Sequence, residues 1–337
     1  MKRIIKFSTP PSFASFSAVG GYEEKRGPLG ERFDLTDDSG RFGQKTWEEA
    51  EGEMSRLALN TALTKMGESH EVLSAVVAGD LQNQCVASSL GLSSFGIPYL
   101  GVYGACSTCT ESLLVLSMLL SLTGGKGAAV TSSHNSAAEK QFRMPIEYGG
   151  QRSPSAQWTA TAAAAFILDG DKPSSSGVRI TEGMVGKMVG GGITDGANMG
   201  GAMAFAAADS IITYFRESGR QVGEFDYIVT GDLGKVGSAV LHELLKDELP
   251  AAIPRHVDCG NLLYDAKKRD VHSGASGCGT SAAVLATHFL PMLVKGEIKS
   301  ILLLSTGALM SPSSILQGDN ILGIAPVIRI EGEGKKK

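Results

Sequence analysis

The chain has 337 residues, more than one hydrophobic core usually contains, so two packed domains or one duplicated unit are expected. Its formal charge of −4, without a basic cluster of the kind that binds phosphates, argues against a nucleic-acid partner. Its five cysteines have no tight repeating spacing, which disfavours a disulfide framework and favours synthesis in a reducing cytoplasm.

The first part of the chain gives clear signals for local structure. The N-terminus has no apolar segment of signal-peptide length, so we expect it to stay on the mature protein. Residues 20–45 are rich in glycine and charge and lack periodicity, which predicts a long surface loop. A helix is predicted next, with Thr46 and Glu49 as a capping box and Gly67 as its stop.

An internal repeat is the most informative pattern in the sequence. Residues 76–81 (VVAGDL) match residues 228–233 (IVTGDL), and Gly67 matches Gly219 at the same offset. Each copy continues with a helix, a Gly-Ala step, an apolar helix and two strand-like runs. These runs are residues 127–132 and 158–168 in the first copy, and residues 301–305 and 321–330 in the second. The order β-α-β-α-β-α-β-β therefore occurs twice. We divide the chain into halves at residues 1–175 and 176–337.

The repeat predicts an α/β fold with mostly parallel sheets covered by helices on both faces. Two such sheets sharing a central helical layer give a five-layered α-β-α-β-α sandwich. The apolar segment at residues 113–122 is too short to span a bilayer and is interpreted as a buried helix. The second half has an insertion near residues 264–270, which is expected to form a loop that covers or narrows a site.

The duplicated order, with Gly104, Ala105 and Cys106 at the head of the third helix, resembles the thiolase superfamily, especially ketoacyl synthase III-type condensing enzymes. Several segments resemble the stage V sporulation protein AD family more closely. These segments are GDLQNQC (79–85), GVYGACST (101–108), TSSHNSAAEKQFR (131–143), EYGGQ (147–151) and SGCGTSAA (276–283).

The resemblance implies a nucleophilic cysteine at the start of a helix, where the helix dipole and free backbone N–H groups lower its pKa. Cys106 occupies this position, and the alternative is a small thiol packed behind the turn. Where the enzymes place histidine the chain has Asp232, and near their asparagine it has residues 276–279, SGCG. We therefore interpret Cys106 as a vestigial nucleophile and the protein as not an enzyme.

The remaining site candidates lie at the ends of strands or at glycine-rich turns. Ser132, Ser133 and His134 follow a predicted strand, at the edge of the sheet where open α/β sheets bind ligands. An ordinary polar turn is the alternative. Arg143 offers a guanidinium to an anion, unless it is a surface charge.

Gly277 and Cys278, in the turn that follows Ser276, complete the set of candidates. Asp232 is the remaining ligand-binding candidate. The alternative for Asp232, and the preferred interpretation for Asp80, is a helix cap. We also considered His134, His256 and His272 as replacement bases, with structural or surface roles as the alternative.

The resemblance implies binding of dipicolinic acid, free or as its calcium chelate, in a spore uptake system with membrane-embedded stage V sporulation partners. It also implies peripheral association with the forespore inner membrane and a homodimer. No cofactor and no metal site of the protein's own are expected. The alternative is an acyl-CoA-dependent acyltransferase or thioesterase using Cys106, and a third hypothesis is a structural scaffold.

Overall fold

The computed structural model describes residues 3–142 and 153–333. In this part of the chain the helices are α1 (Tyr22–Lys25), α2 (Trp47–Met66), α3 (Val86–Leu92), α4 (Thr108–Thr123), α5 (Asn135–Phe142), α6 (Met199–Ser218), α7 (Gly234–Leu245), α8 (Cys259–Leu263), α9 (Cys278–Val284), α10 (Leu290–Lys295) and α11 (Pro312–Leu316). A π-helical turn, Leu285–Phe289, joins α9 to α10.

The strands are β1 (Ile4–Lys6), β2 (Ser12–Gly20), β3 (Leu35–Thr36), β4 (Leu73–Gly79), β5 (Tyr99–Gly101), β6 (Lys126–Ser133), β7 (Trp158–Thr159), β8 (Ala162–Asp169), β9 (Val178–Met184), β10 (Val189–Gly190), β11 (Tyr227–Thr230), β12 (His256–Asp258), β13 (Ala275–Ser276), β14 (Ser300–Leu304), β15 (Gly307–Leu309), β16 (Leu322–Ile324) and β17 (Val327–Gly332).

The main sheet shows the duplication in its topology. Its central order is β12-β11-β14-β17-β9 in the second half and β2-β8-β6-β4-β5 in the first. Read from the outer edge, each half places its third, second, fourth, fifth and first strands side by side. In each half the second strand is parallel to the third and fourth, whereas the fifth is antiparallel to its neighbours. The halves meet where Ser12 pairs with Arg179.

The helices complete the predicted five layers. Helices α2 and α3 pack together outside the first-half strands, and α6 and α7 pack together outside the second-half strands. Helices α4 and α9 contact each other and strands of the sheets, and form the central layer. Within the described residues, Ala105–Thr123 is the one helical segment whose length and hydropathy would allow a membrane span, and it lies mostly buried in this layer.

The predicted helix boundaries are confirmed. The Thr46 hydroxyl accepts the N–H of Glu49 at 3.1 Å, and the Glu49 carboxylate accepts the N–H of Thr46 at 3.1 Å. Gly67 ends α2 with φ of 71°, and Gly219 ends α6 with φ of 72°. These left-handed conformations favour glycine, which explains why both glycines are effective stop signals.

Two strand predictions were wrong in extent. Residues 158–168 form two strands, β7 and β8, and only β8 belongs to the main sheet. Residues 321–330 are divided between β16 and β17 by Ala325 and Pro326. Proline has no N–H for a sheet ladder, so the apolar run changes sheets at this point. Both breaks between strands were missed because apolar residues continue through them in the sequence.

The prediction for residues 20–45 was also incomplete. This segment contains α1 and β3, and it buries Glu24, Leu29 and Phe33. The Glu24 carboxylate accepts the N–H of Thr161 at 3.0 Å and the hydroxyl proton of Tyr264. The segment is therefore anchored to both halves, because it carries polar and aromatic side chains that pack inside.

Each outer helix pair crosses at a glycine contact. A Cβ on Gly91 of α3 would lie 2.1 Å from the carbonyl oxygen of Gly52 in α2. In the second half, a Cβ on Gly237 of α7 would lie 2.4 Å from the carbonyl oxygen of Gly200 in α6. These distances are below van der Waals contact, so the backbones approach closely only because both crossings lack side chains.

We predict that Gly91→Ala and Gly237→Ala each destabilise the protein. Moving packed helices apart costs about 1–3 kcal/mol, against a gain of about 1 kcal/mol in helix propensity. Chemical denaturation measures the difference in the free energy of unfolding. Gly223→Ala is the control, because a Cβ there meets no heavy atom within 4 Å. Equal stability of all three variants would contradict the proposed crossings.

Candidate functional site

The two central helices begin at the candidate site. Cys106 lies in a short 3-10 turn, Ala105–Ser107, directly before α4, and Cys278 is the first residue of α9. Ala105 has φ of 52°, an uncommon conformation for a residue with a side chain. Gly277 has φ of 93°, and a Cβ there would lie 2.9 Å from the Ser133 hydroxyl oxygen. The turn before α9 therefore requires glycine.

The Cys106 side chain lies beside the buried carboxylate of Asp232, close enough for each group to shift the pKa of the other. Asp232 Oδ2 also accepts the N–H of Gly277 at 2.8 Å and the hydroxyl of Ser276 at 3.3 Å. Its Oδ1 accepts the hydroxyl of Thr306 at 3.1 Å. The structure thus brings three predicted residues, Cys106, Asp232 and Gly277, into one hydrogen-bonded group.

Burial determines the protonation states in this group. It raises the pKa of Asp232 to about 7, although the hydrogen bonds from Cys106 and Gly277 lower it. Burial and the negative charge of Asp232 raise the pKa of Cys106 well above its usual range. A helix start alone would lower the pKa of this thiol, but desolvation and Asp232 outweigh that effect. Cys106 is therefore a thiol at neutral pH.

Histidines do not supply the partners of this thiol. All six histidines lie in the described residues, and each makes its contacts elsewhere. The contacts are the ring of Phe95 for His70, the Gly40 carbonyl for His134, His256 for His242, Thr230 for His256, the Ser153 carbonyl for His272 and the Arg32 guanidinium for His288. The group at Cys106 thus has a carboxyl neighbour rather than an imidazole.

Ser132 and Ser133 connect the end of β6 to the start of α9. The Ser132 hydroxyl donates to Glu51 Oε1 at 3.2 Å, and its carbonyl accepts the thiol proton of Cys278 at 3.0 Å. The Ser133 hydroxyl accepts the N–H of Gly279 at 3.2 Å. Both serines are buried, so they fix the first half against the second beside Cys278.

His134 lies at the edge of this group. Its Nε2 is 2.9 Å from the carbonyl oxygen of Gly40, and its ring lies 5.2 Å from that of Trp47. Since a carbonyl only accepts, Nε2 carries the proton, and the buried Nδ1 has no hydrogen-bond partner in the described chain. Burial lowers the pKa of His134. Arg143, the predicted cation, lies outside the described residues.

Glu51 is a buried site neighbour that the sequence interpretation missed. Its Oε2 accepts the Gln82 side-chain amide at 2.6 Å, beside the Ser132 contact on Oε1. Burial and the nearby charge of Asp80 raise the pKa of Glu51 well above its usual range. Glu51 lies between Ala50 and Met54 on the buried side of α2. A carboxylate on an apolar helix face is a signal that could have identified it.

The two aspartates of the repeat have different partners. Asp80 accepts the N–H groups of Gln82 and Ser88, each at 2.8 Å, which confirms the preferred capping interpretation. Asp232 instead reaches across to Gly277. The start of α7 is held by Asp258, which was not predicted and which accepts the N–H groups of residues 233 and 234 at 2.9 Å.

A surface cavity of about 300 Å³ is lined by residues of the N-terminal segment, of β7 and of the inserted loop. Its lining includes Arg26, Lys268 and Arg269, and Arg269 pairs with Glu23. Trp158 of β7 also lines the cavity, and this strand pairs with β13, which carries Ser276. The inserted loop predicted near residues 264–270 therefore borders a partly cationic cavity next to the Cys106 group.

Metal coordination has little support in this region. Among residues 3–142 and 153–333, no group of three or more histidine, cysteine, aspartate or glutamate side chains is arranged to hold a metal ion. Cys106 and Cys109 are spaced as a Cys-x-x-Cys pair, but Cys109 is fully buried, and burial raises its pKa to about 12. Its surroundings are those of a core thiol.

Comparisons with solved structures show the fold. The chain is similar to a variant of OleA from Xanthomonas campestris, with a TM-score of 0.61 and 15% identity, over 96% of this chain and 99% of the other. It is also similar to AbyA1, described as a tetronic acid condensing enzyme, with a TM-score of 0.55 and 16% identity, over 83% and 87% of the chains. These likenesses confirm the thiolase-like architecture.

Comparisons of sequence show the family. The model of the family described as stage V sporulation protein AD matches residues 1–331. The stage V sporulation protein AD of Bacillus subtilis (strain 168) is 39% identical over 329 residues, covering 97% of this chain and 96% of the relative. The chain belongs to the stage V sporulation protein AD family.

Proposed function

We propose that this protein binds dipicolinic acid, free or as its calcium chelate, for uptake into the spore, and that it does not catalyse acyl transfer. Membership of the family supports a role in sporulation. The observation that carries the non-catalytic part is the buried Cys106 thiol, whose pKa burial and the nearby charge of Asp232 raise well above its usual range. Nucleophilic attack requires a thiolate, and this environment disfavours one.

The same group offers hydrogen-bond donors that suit a small carboxylate. The hydroxyls of Ser132, Ser276 and Thr306 and the N–H of Gly277 lie within it. Asp232 donates as well when it is protonated. The present hydrogen-bond partners of Asp232 are other residues of the protein. A ligand would therefore replace existing hydrogen bonds rather than fill an empty cavity.

Entry of a ligand requires movement, because Cys106 is only 5% exposed and Asp232 is fully buried. The β7–β13 pair links this group to the cavity, because Trp158 of β7 lines the cavity with Arg26, Lys268, Arg269, Glu23 and Asp270, and Ser276 of β13 binds Asp232. Arginine and lysine attract carboxylates, so this cavity suits the first encounter with an anionic ligand. Displacement of the β7–β13 pair would then open the group at Cys106.

Protein partners are part of this proposal. Strand β5 forms an edge of the main sheet, and Tyr99, Leu100 and the nearby Tyr103 are exposed there. An exposed apolar edge strand favours pairing, which supports a homodimer. The proposal also includes docking to a stage V membrane protein at the forespore inner membrane, and Met188 and Leu316 are exposed apolar side chains that such a contact would cover.

The alternative is an acyltransferase or thioesterase that uses Cys106. The specific observation in its favour is Asp232, which touches the thiol and whose pKa of about 7 would suit a general base. Against it, the pKa of the thiol lies well above its usual range, so proton transfer to Asp232 is unfavourable. The two functions differ in whether Cys106 becomes acylated.

We predict that Cys106 reacts slowly with iodoacetamide at neutral pH, and that Asp232→Asn accelerates the reaction. Removing the charge lowers the pKa of the thiol, and each unit corresponds to about tenfold in thiolate fraction. Intact mass spectrometry measures the rate, and Cys106→Ser shows the background from the other four cysteines. Wild-type labelling of Cys106 as fast as free cysteine would contradict the proposed thiol state.

We predict saturable binding of dipicolinate in a calorimetric titration, weakened by Cys106→Ala and by Ser132→Ala. Loss of one hydrogen-bond partner costs about 0.5–1.5 kcal/mol, roughly two- to twelvefold in Kd. Ser89→Ala is the matched control, since its exposed hydroxyl bonds only locally, to the carbonyl of Val86.

Two outcomes would overturn this function. The first is a wild-type protein that gives no saturable heat with dipicolinate, with or without calcium. The second is a stable acyl adduct on Cys106 after incubation with acyl-CoA, together with turnover, which would establish the acyltransferase or thioesterase.

We predict that free dipicolinate binds more tightly as the pH falls from 8 to 6. Above its pKa of about 7 Asp232 is ionised and repels a dianion, whereas below it the neutral carboxyl donates a hydrogen bond. Uptake of one proton changes Kd by up to about tenfold per pH unit. Titrations across this range test it, with Asp232→Asn expected to flatten the profile. Binding that tightens with rising pH would contradict this assignment.

A further inference from the structure

A chain of polar side chains extends away from Asp232, and the proposed function does not use it. It consists of Asp258, Thr230, His256 and His242. Thr230 ends β11, two residues before Asp232, whereas His256 and Asp258 belong to β12. Strands β11 and β12 are parallel, with Thr230 opposite Asp258. The chain therefore lies at the strand ends from which the Asp232 turn begins.

The direction of each hydrogen bond follows from simple chemistry. The Thr230 hydroxyl is 2.7 Å from Asp258 Oδ2, and an ionised carboxylate only accepts, so the hydroxyl proton points to Asp258. His256 Nε2, 2.8 Å from the same hydroxyl oxygen, must then donate. Its Nδ1 carries no proton and accepts from His242 Nε2 at 2.9 Å. Each side chain thus orients the next.

The charge states agree with this arrangement. Burial raises the pKa of Asp258 only to about 6, so the carboxylate is ionised at neutral pH. Burial and the neighbouring His242 lower the pKa of His256 to about 3, so this imidazole is neutral. A neutral His256 has one N–H and one bare nitrogen, which are the groups that the two contacts require.

At its inner end, this chain of polar side chains hydrogen-bonds to the backbone beside Asp232. Asp258 Oδ2 accepts the N–H of Leu233, and Oδ1 accepts the N–H of Gly234, each at 2.9 Å. Gly260 packs against the same place, since a Cβ there would lie 2.9 Å from Asp258 Oδ1 and 3.3 Å from the Asp232 Cα. The backbone that follows Asp232 is therefore held by both oxygens of one carboxylate.

We propose that Asp258 is a positioning residue, oriented through Thr230, His256 and His242, that sets the Asp232 carboxylate against the Cys106 thiol and so determines ligand affinity. The affinity part rests on the proposed function. The positioning of Asp232 has a second readout, the reactivity of Cys106, which does not require a ligand. Failure of the proposed ligand binding can therefore be distinguished from failure of the proposed positioning of Asp232.

The test compares Thr230→Val, Thr230→Ser and Asp258→Asn. Valine keeps the shape of threonine without its hydroxyl, and an amide cannot accept from both backbone N–H groups. Asp232 then shifts from the thiol. We expect Thr230→Val and Asp258→Asn to weaken dipicolinate binding at least threefold and to speed iodoacetamide labelling of Cys106. Thr230→Ser restores the hydroxyl and keeps wild-type values for both.

Thr287→Val separates positioning from general loss of stability. Thr287 is also buried, and its hydroxyl donates at 2.7 Å to the Ala283 carbonyl within the central helix, so the chemical change is matched. It is expected to lower stability without changing labelling. If Asp258→Asn does not fold, the three threonine variants decide the matter.

Three results would overturn the inference. The first is a folded Thr230→Val protein with wild-type affinity and labelling, and the second is Thr230→Ser behaving like Thr230→Val. The third is a Thr287→Val protein with the same changes as Thr230→Val, which would assign them to lost stability. If the wild-type protein does not bind dipicolinate, the proposed function fails, and the labelling rates alone still decide whether the chain positions Asp232.

Discussion

The electrostatic interaction between the Cys106 thiol and the buried Asp232 carboxylate is the interaction on which the site depends. A buried charge without partners costs several kcal/mol, so Asp232 requires donors around it. Gly277, Ser276 and Thr306 provide them from the turn before α9 and from the segment after β14. The carboxylate therefore joins two segments of the second half beside the first-half cysteine, and its charge keeps the thiol protonated.

The fold brings this contact about by placing two helix starts side by side. Duplication gives each half an apolar helix that enters the central layer, and these helices begin near Cys106 and Cys278. In an enzyme of this architecture, such starts would stabilise developing negative charge. Here a resident carboxylate already uses the N–H of Gly277. The N–H of Gly277, at the start of α9, is therefore engaged in holding Asp232.

The fold could be predicted from helix caps, helix stops and a repeated motif, because each of these is determined by residues that are close together in the sequence. The Thr46 capping box, the stops at Gly67 and Gly219 and the repeated GDL motif each report structure within a few residues, and their order specified the duplicated topology. The breaks near residues 160 and 325 were missed because apolar residues continue through them. Apolar periodicity indicates burial, but it does not indicate which sheet a strand joins.

The site was predictable only in part, since its contacts join distant segments. Cys106, Asp232 and Gly277 were identified from the resemblance and do lie together. Glu51 and Asp258 were missed because their partners, Ser132 and Leu233, are remote or follow another strand. The repeat even suggested equal roles for its two aspartates, and tertiary contacts gave them different ones.

The carboxyl groups near Cys106 also constrain which ligands the buried group at Cys106 could bind. Glu51 and Asp80 share the partner Gln82 within the first half, and burial raises the pKa of both. Neither carboxyl group therefore requires a ligand to compensate its charge. Asp232 differs, because its acceptor oxygens bind groups of the turn that must move when a ligand enters. For a dianion to replace these contacts as the proposed function requires, a proton or a calcium ion would have to accompany it, which would make charge compensation at Asp232 part of the proposed recognition.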